Sequence, residues 1–149
     1  MNIVRPATLA DVPDLVELMR EFYAEASFPL DQGWAARSFS DLMADPSRGG
    51  AWLIERDGAL AGHAVLSVRH AMEFGGLIAY IDDLFVRKGH RRQGAARAGL
   101  EALLDDCRHR GCRSIHVEVG PGNVAANALY RSHGLRPGAD ERRQLSAVL

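Results

Sequence analysis

Apolar residues recur along this chain at two spacings, and the switches between them predict its elements. From Leu9 they fall at Leu9, Val12, Leu15, Val16, Leu18, Met19 and Phe22. That is one face of a helix, so the spacing predicts a helix to about Ala24. Thr8 stands before it as an N-cap, with Asp11 as the acidic partner of a capping box. Pro13 falls near the first turn, where a missing N–H is tolerated. Residues 35–44 repeat the pattern, with Phe39, Leu42 and Met43 on one face, after a loop from Ser27 to Gly33. Asp45-Pro46-Ser47-Arg48-Gly49-Gly50 ends this second helix.

Elsewhere the spacing is that of strands. Residues 2–5 read as a short opening strand. Ala51 to Glu55 and Leu60 to Val68 flank Arg56-Asp57-Gly58-Ala59, whose Asp-Gly pair is a hairpin signal. Gly75-Gly76 precedes a long run from Leu77 to Val86. A basic, glycine-bounded loop, Gly89 to Gly94, leads into a helix from about Ala95 to Arg110, which Gly111 ends. Ser114 to Val119 alternates Ile115, Val117 and Val119 with His116 and Glu118. Asn123 then caps a helix to about Ser132, and residues 142–149 complete the order as a last strand. The predicted order, β-α-α-β-β-β-α-β-α-β, implies a mixed α/β sheet, antiparallel early and locally parallel around residues 87–94.

Composition narrows the class. The chain has 149 residues, 47% hydrophobic and 25% charged, which fits one domain and excludes a disordered chain. No apolar run approaches the roughly 20 residues of a membrane span. The start, Met1 to Leu15, lacks the order of a signal peptide. Cys107 and Cys112 imply no disulfide framework, so a cytoplasmic location is expected. The net charge of −1 is a cancellation. Residues 1–83 hold 13 Asp+Glu against 6 Lys+Arg, a net −7; residues 84–149 hold 6 against 12, a net +6. Such a division offers two ligands surfaces of opposite sign.

The segment richest in chemistry runs from Asp82-Asp83-Leu84-Phe85-Val86 through Arg87-Lys88-Gly89-His90-Arg91-Arg92-Gln93-Gly94 to Ala95-Ala96-Arg97. A helix N-terminus presents free N–H groups and a positive dipole end to phosphate. Gly94, Ala95 and Ala96 are small enough to let phosphate oxygens approach the backbone, and Arg91, Arg92 and Arg97 add charge. The Gly-Lys-[Ser/Thr] ending of a P-loop and the three spaced glycines of a dinucleotide fold are both absent. No helix-turn-helix or interleaved aromatic pattern supports nucleic acid as a partner.

Arg91-x-x-Gly94-x-Ala96 matches the Arg/Gln-x-x-Gly-x-Gly/Ala signature of the GNAT (GCN5-related N-acetyltransferase) superfamily. Asn123-x-x-Ala126-x-x-Leu129-Tyr130-x-x-x-Gly134 matches the helix that follows in that superfamily, and the opening Ile3-Val4-Arg5-Pro6 with its helix is similar to the superfamily's start. The sequence departs from the pattern at Leu135, where Phe is usual. Gly99 inside the cofactor helix is also unexpected, at a cost of roughly 1 kcal/mol against Ala.

The resemblance implies a single acetyltransferase domain over residues 1–149, with a central mixed sheet of six to seven strands and about four flanking helices. It implies acetyl-CoA as co-substrate, no metal, and direct transfer to a primary amine of a small molecule or peptide in a ternary complex. The pyrophosphate would lie on the N–H groups from Gln93 to Arg97, beside Arg91 and Arg92, with Asn123 and Tyr130 also at the cofactor. The pantetheine arm would add to the edge of Leu84, Phe85 and Val86 like a strand, and a backbone N–H near Leu84 or Phe85 would face the thioester oxygen. Tyr130 matches the general acid. Asp83 ranks first as the base and Glu118, across the gap, second. Strand alternation sends Asp82 and Asp83 to opposite faces unless a bulge intervenes. Tyr23, Phe28, Asp82 and Asp83 are the expected acceptor-binding residues, within a pocket of Phe22, Glu25, Leu30, Asp31 and Trp34. Dimers are common in the superfamily, so a homodimer is among the expected partners; nucleic acid and membrane are not. The competing function is a catalytically silent acyl-CoA sensor on the same fold.

Overall fold

The computed structural model describes residues 1–139 and 142–149, which divide into two compact units, Met1–Glu118 and Val119–Leu149. The first unit holds five strands, β1 (Asn2–Pro6), β2 (Gly49–Arg56), β3 (Ala59–Ala71), β4 (Gly76–Val86) and β5 (Ile115–Val117), ordered β1-β2-β3-β4-β5 in one sheet. The first four pair antiparallel, and β4 pairs parallel with β5. That crossover is made by α3 (Ala95–Arg110), as the strand–loop–helix–strand pattern predicts.

Two helices cover one face. In α1 (Val12–Glu25) and α2 (Gln32–Ala44), the apolar stripes carry Leu15, Val16, Leu18, Met19, Ala35 and Phe39 into a core with Ala51, Leu53, Val65 and Phe85. At the α3 side, Ile54, Ala61, Val86 and Ala95 form a second core. Gly99 has its explanation here. A Cβ at that position would stand 2.8 Å from Ile54 Cδ1 and 3.0 Å from Leu84 Cδ1, so glycine lets α3 lie close on the sheet.

The first helix differs from expectation in its opening turn. Leu9–Asp11 is a 3-10 turn, and the α-helix starts at Val12. Asp11 nevertheless closes the capping box, accepting from Thr8 N at 2.8 Å while Arg5 grips both its oxygens at 2.9 and 3.0 Å. These bonds favour the ionised form, so the Asp11 carboxyl lies well below the usual carboxylate range, with Arg5 the largest cause. Asp11→Asn is expected to cost about 1–3 kcal/mol at neutral pH by chemical denaturation. The wild-type advantage is complete above about pH 4, the ordinary carboxylate value. It is lost as pH falls through the lower folded value, so the two denaturation curves converge in strong acid.

Among the described residues the sheet has five strands, not six to seven. Residues 142–149, expected as the last strand, carry no regular structure, and Leu145, Val148 and Leu149 are exposed. With no buried face, nothing offsets the entropy of ordering that segment. β5 is also shorter than the alternation of Ser114 to Val119 predicts, because its pairing with β4 ends at Ile81↔Val117. In the second unit, α4 (Val124–Ser132) is capped by the Asn123 side chain, which accepts from Ala126 N at 3.2 Å. Gly134 ends it at φ +90°, where L side chains are disfavoured. Among the described residues, no helix is long and apolar enough to cross a membrane.

Candidate active site

A bulge decides where the two adjacent carboxylates go. β3 and β4 pair Val65↔Asp83 and then Leu66↔Ile81, leaving Asp82 as the extra residue. The bulge breaks the alternation, and both carboxylates line one cavity of about 350 Å³. Met19 and Tyr23 of α1, Trp34, Ser38, Phe39 and Leu42 of α2, and Val65 and Ser67 of β3 complete its wall.

Among the described residues, neither Lys nor Arg lines this cavity. Asp82 sits exposed at the mouth and accepts from the Ser67 hydroxyl. The walls strip enough water from its carboxyl to hold it above the usual range, against the pull of Ser67 and with help from the Asp83 charge. Burial, then the charges of Asp83 and Asp82, push the Tyr23 phenol up as well. Asp83 is buried, at 5% exposure, and its Oδ2 lies 3.1 Å from His63 Nε2. The cavity therefore concentrates negative charge between aromatic walls, an environment suited to an organic cation.

The donor side lies on the same strand. β4 continues to Val86 after β5 has ended at Val117, so among the described residues its Asp82–Val86 segment has no strand partner on the β5 side. An edge without a strand partner suits a peptide-like chain added as a strand. Beyond it, Gly94 (φ +82°) is the N-cap of α3 and supplies no side-chain cap. The N–H groups of Ala95, Ala96 and Arg97 are thus left for a ligand. Asn2 Nδ2 and Arg56 Nη1 fix the Gln93 carbonyl at 2.9 and 3.2 Å. Arg92 and Arg97 are exposed beside this turn. These features fit the pantetheine and pyrophosphate of a coenzyme A.

Arg91 occupies a different place from a free phosphate contact. Its Nε donates to Val86 O at 2.8 Å, its Nη2 reaches Glu25 at 2.7 Å, and its guanidinium lies 5.8 Å from the Phe85 ring centroid. Arg87 likewise binds Glu21, with Nη2 at 2.9 Å. The two arginines fasten the basic loop to α1.

The remaining expected residues separate. Phe28 is exposed and meets the Tyr23 ring edge-on at 6.0 Å, outside the cavity lining. Phe22 packs on Phe85 at 5.3 Å, Leu30 packs against the core, and Asp31 caps α2 by accepting from Trp34 N. Glu118 is exposed just past β5, and His116 stacks on Tyr80 at 5.0 Å and meets Ser114 Oγ at 2.8 Å. In the second unit, Tyr130 is buried and its phenol is pushed up to about 12 by burial, so it holds its proton at neutral pH. The Cys107 thiol, buried in α3, is likewise pushed up to about 12, which makes it a poor nucleophile.

Sequence reasoning missed His63, Met19, Ser38, Phe39, Leu42, Val65 and Ser67 as residues around this cavity. The wall from α2 had a signal in the i, i+4, i+8 spacing of Trp34, Ser38 and Leu42. His63 had none, because its partner is 20 positions away across a hairpin.

The fold and site define a CoA-dependent acyltransferase. The model of the acetyltransferase (GNAT) family matches residues 13–135. The ribosomal protein bS18-alanine N-acetyltransferase of Escherichia coli is 28% identical over 90% of this chain and 80% of its own length. The aminoglycoside N(6')-acetyltransferase type 1 of Klebsiella aerogenes is 27% identical over 94% and 93%. Among solved structures, an integron cassette protein from the mobile metagenome of Cole Harbour salt marsh superposes with a TM-score of 0.87 at 36% identity, covering 98% of this chain and 90% of that one. The chain belongs to the GNAT family and is an acetyl-CoA-dependent N-acetyltransferase.

Proposed function

We propose that residues 1–149 act as one domain that acetylates a primary amine of a cationic small molecule or peptide, by direct attack in a ternary complex. The paired carboxylates Asp82 and Asp83, in a cavity lined by no cation among the described residues, carry this reading. Two relatives support the amine class, one named for an alanine of a ribosomal protein and one for aminoglycosides.

Acetyl-CoA supplies the activated acyl group. The N–H groups from Gln93 to Arg97 take its pyrophosphate with Arg92 exposed beside them, Arg91 holds the loop in place through Glu25, and Asn123 is assigned to the coenzyme by its match to the family motif alone. The edge of Leu84, Phe85 and Val86 takes its pantetheine arm, and a backbone N–H near Leu84 or Phe85 donates to the thioester oxygen. Asp82 and Tyr23 attract and frame the ammonium, and Phe28 supports the Tyr23 ring from outside the cavity. Asp83 removes its proton so that the nitrogen lone pair can attack, with Glu118 as the alternative base. Tyr130, by its match to the family motif, returns a proton to the departing sulfur. We place this work in the cytoplasm, without nucleic acid or membrane as partner, in a homodimer.

The test is turnover over a panel of mono-amines, polyamines, aminoglycosides and peptide N-termini, following free CoA thiol. Cationic amines are expected to release it, with kcat/KM rising from one positive charge to two. Coenzyme binding with no release across the panel would replace this reading with a silent sensor.

A further inference from the structure

His63 belongs to no motif and lies at 0% exposure, enclosed by Phe22, Phe39 and Phe85 with ring centroids 6.3, 6.4 and 6.1 Å away. One nitrogen, Nε2, faces Asp83 Oδ2 at 3.1 Å. The other, Nδ1, is buried without a hydrogen-bond partner. A bare ring nitrogen in an aromatic cage is tolerated as a lone pair, whereas an N–H there would strand a donor. The proton of a neutral ring therefore sits on Nε2, where the carboxylate accepts it. This also excludes His63 as the end of a proton relay, since Nδ1 has nowhere to pass a proton.

We propose that His63 is the positioning residue for Asp83: its Nε2–H holds Oδ2 and reserves Oδ1 for the proton of the acceptor amine. The inference rests on Asp83 being the base. Oδ1 gains the proton that the ammonium loses, and His63 keeps its own. The other titratable groups facing Asp83 are Asp82 on its own strand and Tyr23 on α1; α2 contributes neutral Trp34, Ser38 and Phe39 to the cavity. Among the described residues, which also bring the Tyr23 and Ser38 hydroxyls to this cavity, His63 is the side chain seen within hydrogen-bond distance of Asp83, and it lies outside the cavity lining. Buried carboxylates that lose such a donor hold their protons to higher pH.

The test pairs His63→Leu, which removes the donor at similar volume, with His63→Gln, whose terminal amide nitrogen can restore it. His63→Leu is expected to lower kcat about 10–100-fold and to move the acidic limb of kcat/KM upward by about one pH unit, with KM for acetyl-CoA unchanged. His63→Gln is expected to restore the limb and most of kcat. An unmoved limb in the Leu variant, or a Gln variant that behaves like Leu, overturns the inference. If the Leu variant does not fold, nitrogen-15 shifts of wild-type His63 decide: protonated Nε2 with bare Nδ1 is expected, and a protonated Nδ1 overturns it. Asp83→Asn is run alongside. If it keeps the acidic limb, the assignment of the base has failed; if it abolishes the limb while His63→Leu leaves it in place, only the role of His63 has.

Discussion

Asp83→Asn is expected to lower kcat by roughly 10²–10⁴, the usual contribution of a general base, with little change in coenzyme affinity. The substitution is close to isosteric, and the amide oxygen can still accept from His63 Nε2, so the core is retained. As the proposed base, Asp83 is expected to be required for the acidic limb of the wild-type rate profile. The Asn variant lacks that group, so the wild-type limb should disappear, and the pH dependence that remains should follow the acceptor's own ionisation, because only neutral amine can then attack. Initial rates between pH 5 and 9 with one amine from the panel make the measurement. A retained acidic limb would transfer the base to Glu118, which stands exposed past the end of β5.

Gly94→Trp is expected to weaken CoA binding at least about 100-fold, or about 2.7 kcal/mol. The loss arises because the absence of a side chain at Gly94 leaves the first-turn N–H groups of α3 open to phosphate. The φ of +82° at Gly94 costs an L-residue roughly 1–2 kcal/mol of fold stability, which the melting curve reads and the affinity does not. A Cβ there would meet only Asn2 Nδ2, at 3.4 Å, so the fold has room to survive the change. Calorimetric titration with CoA, after a melting curve has shown the variant folded, gives the answer. Unchanged affinity would remove the α3 N-terminus from the binding site.

The arginines of the loop show a limit of reading charge from sequence. The excess of acid before residue 84 and of base after it is visible in the composition. The structure joins the two halves at Arg87–Glu21 and Arg91–Glu25. α1, which supplies Met19 and Tyr23 to the acceptor cavity, is thereby fastened to the loop that leads into the donor site. The separations are 66 residues in both pairs, beyond what periodicity or local motifs report.

Much of the architecture was legible for the opposite reason, because local patterns encode it. The helical stripe of α1, the Asp57-Gly58 hairpin between β2 and β3, the boundaries of α3 and the Asn123 cap of α4 each depend on residues a few positions apart. The glycine-bounded basic turn before α3 was legible in the same way. The strand at 142–149 failed because a strand exists only with a partner and a face to bury, and apolar content alone supplies neither.

By itself the sequence determined the order of elements through α4 and the family, because capping, turn chemistry and hydrophobic period act over one to four residues. It also placed Asp82 and Asp83 in a strand and named them as candidates for chemistry. Only the tertiary structure decided that both reach one cavity, through a bulge set by the register of β3 against β4. Only it brought His63 to Asp83 and committed Arg91 to Glu25. Those outcomes depend on which distant backbones pair and on how much water the packing leaves around a charge.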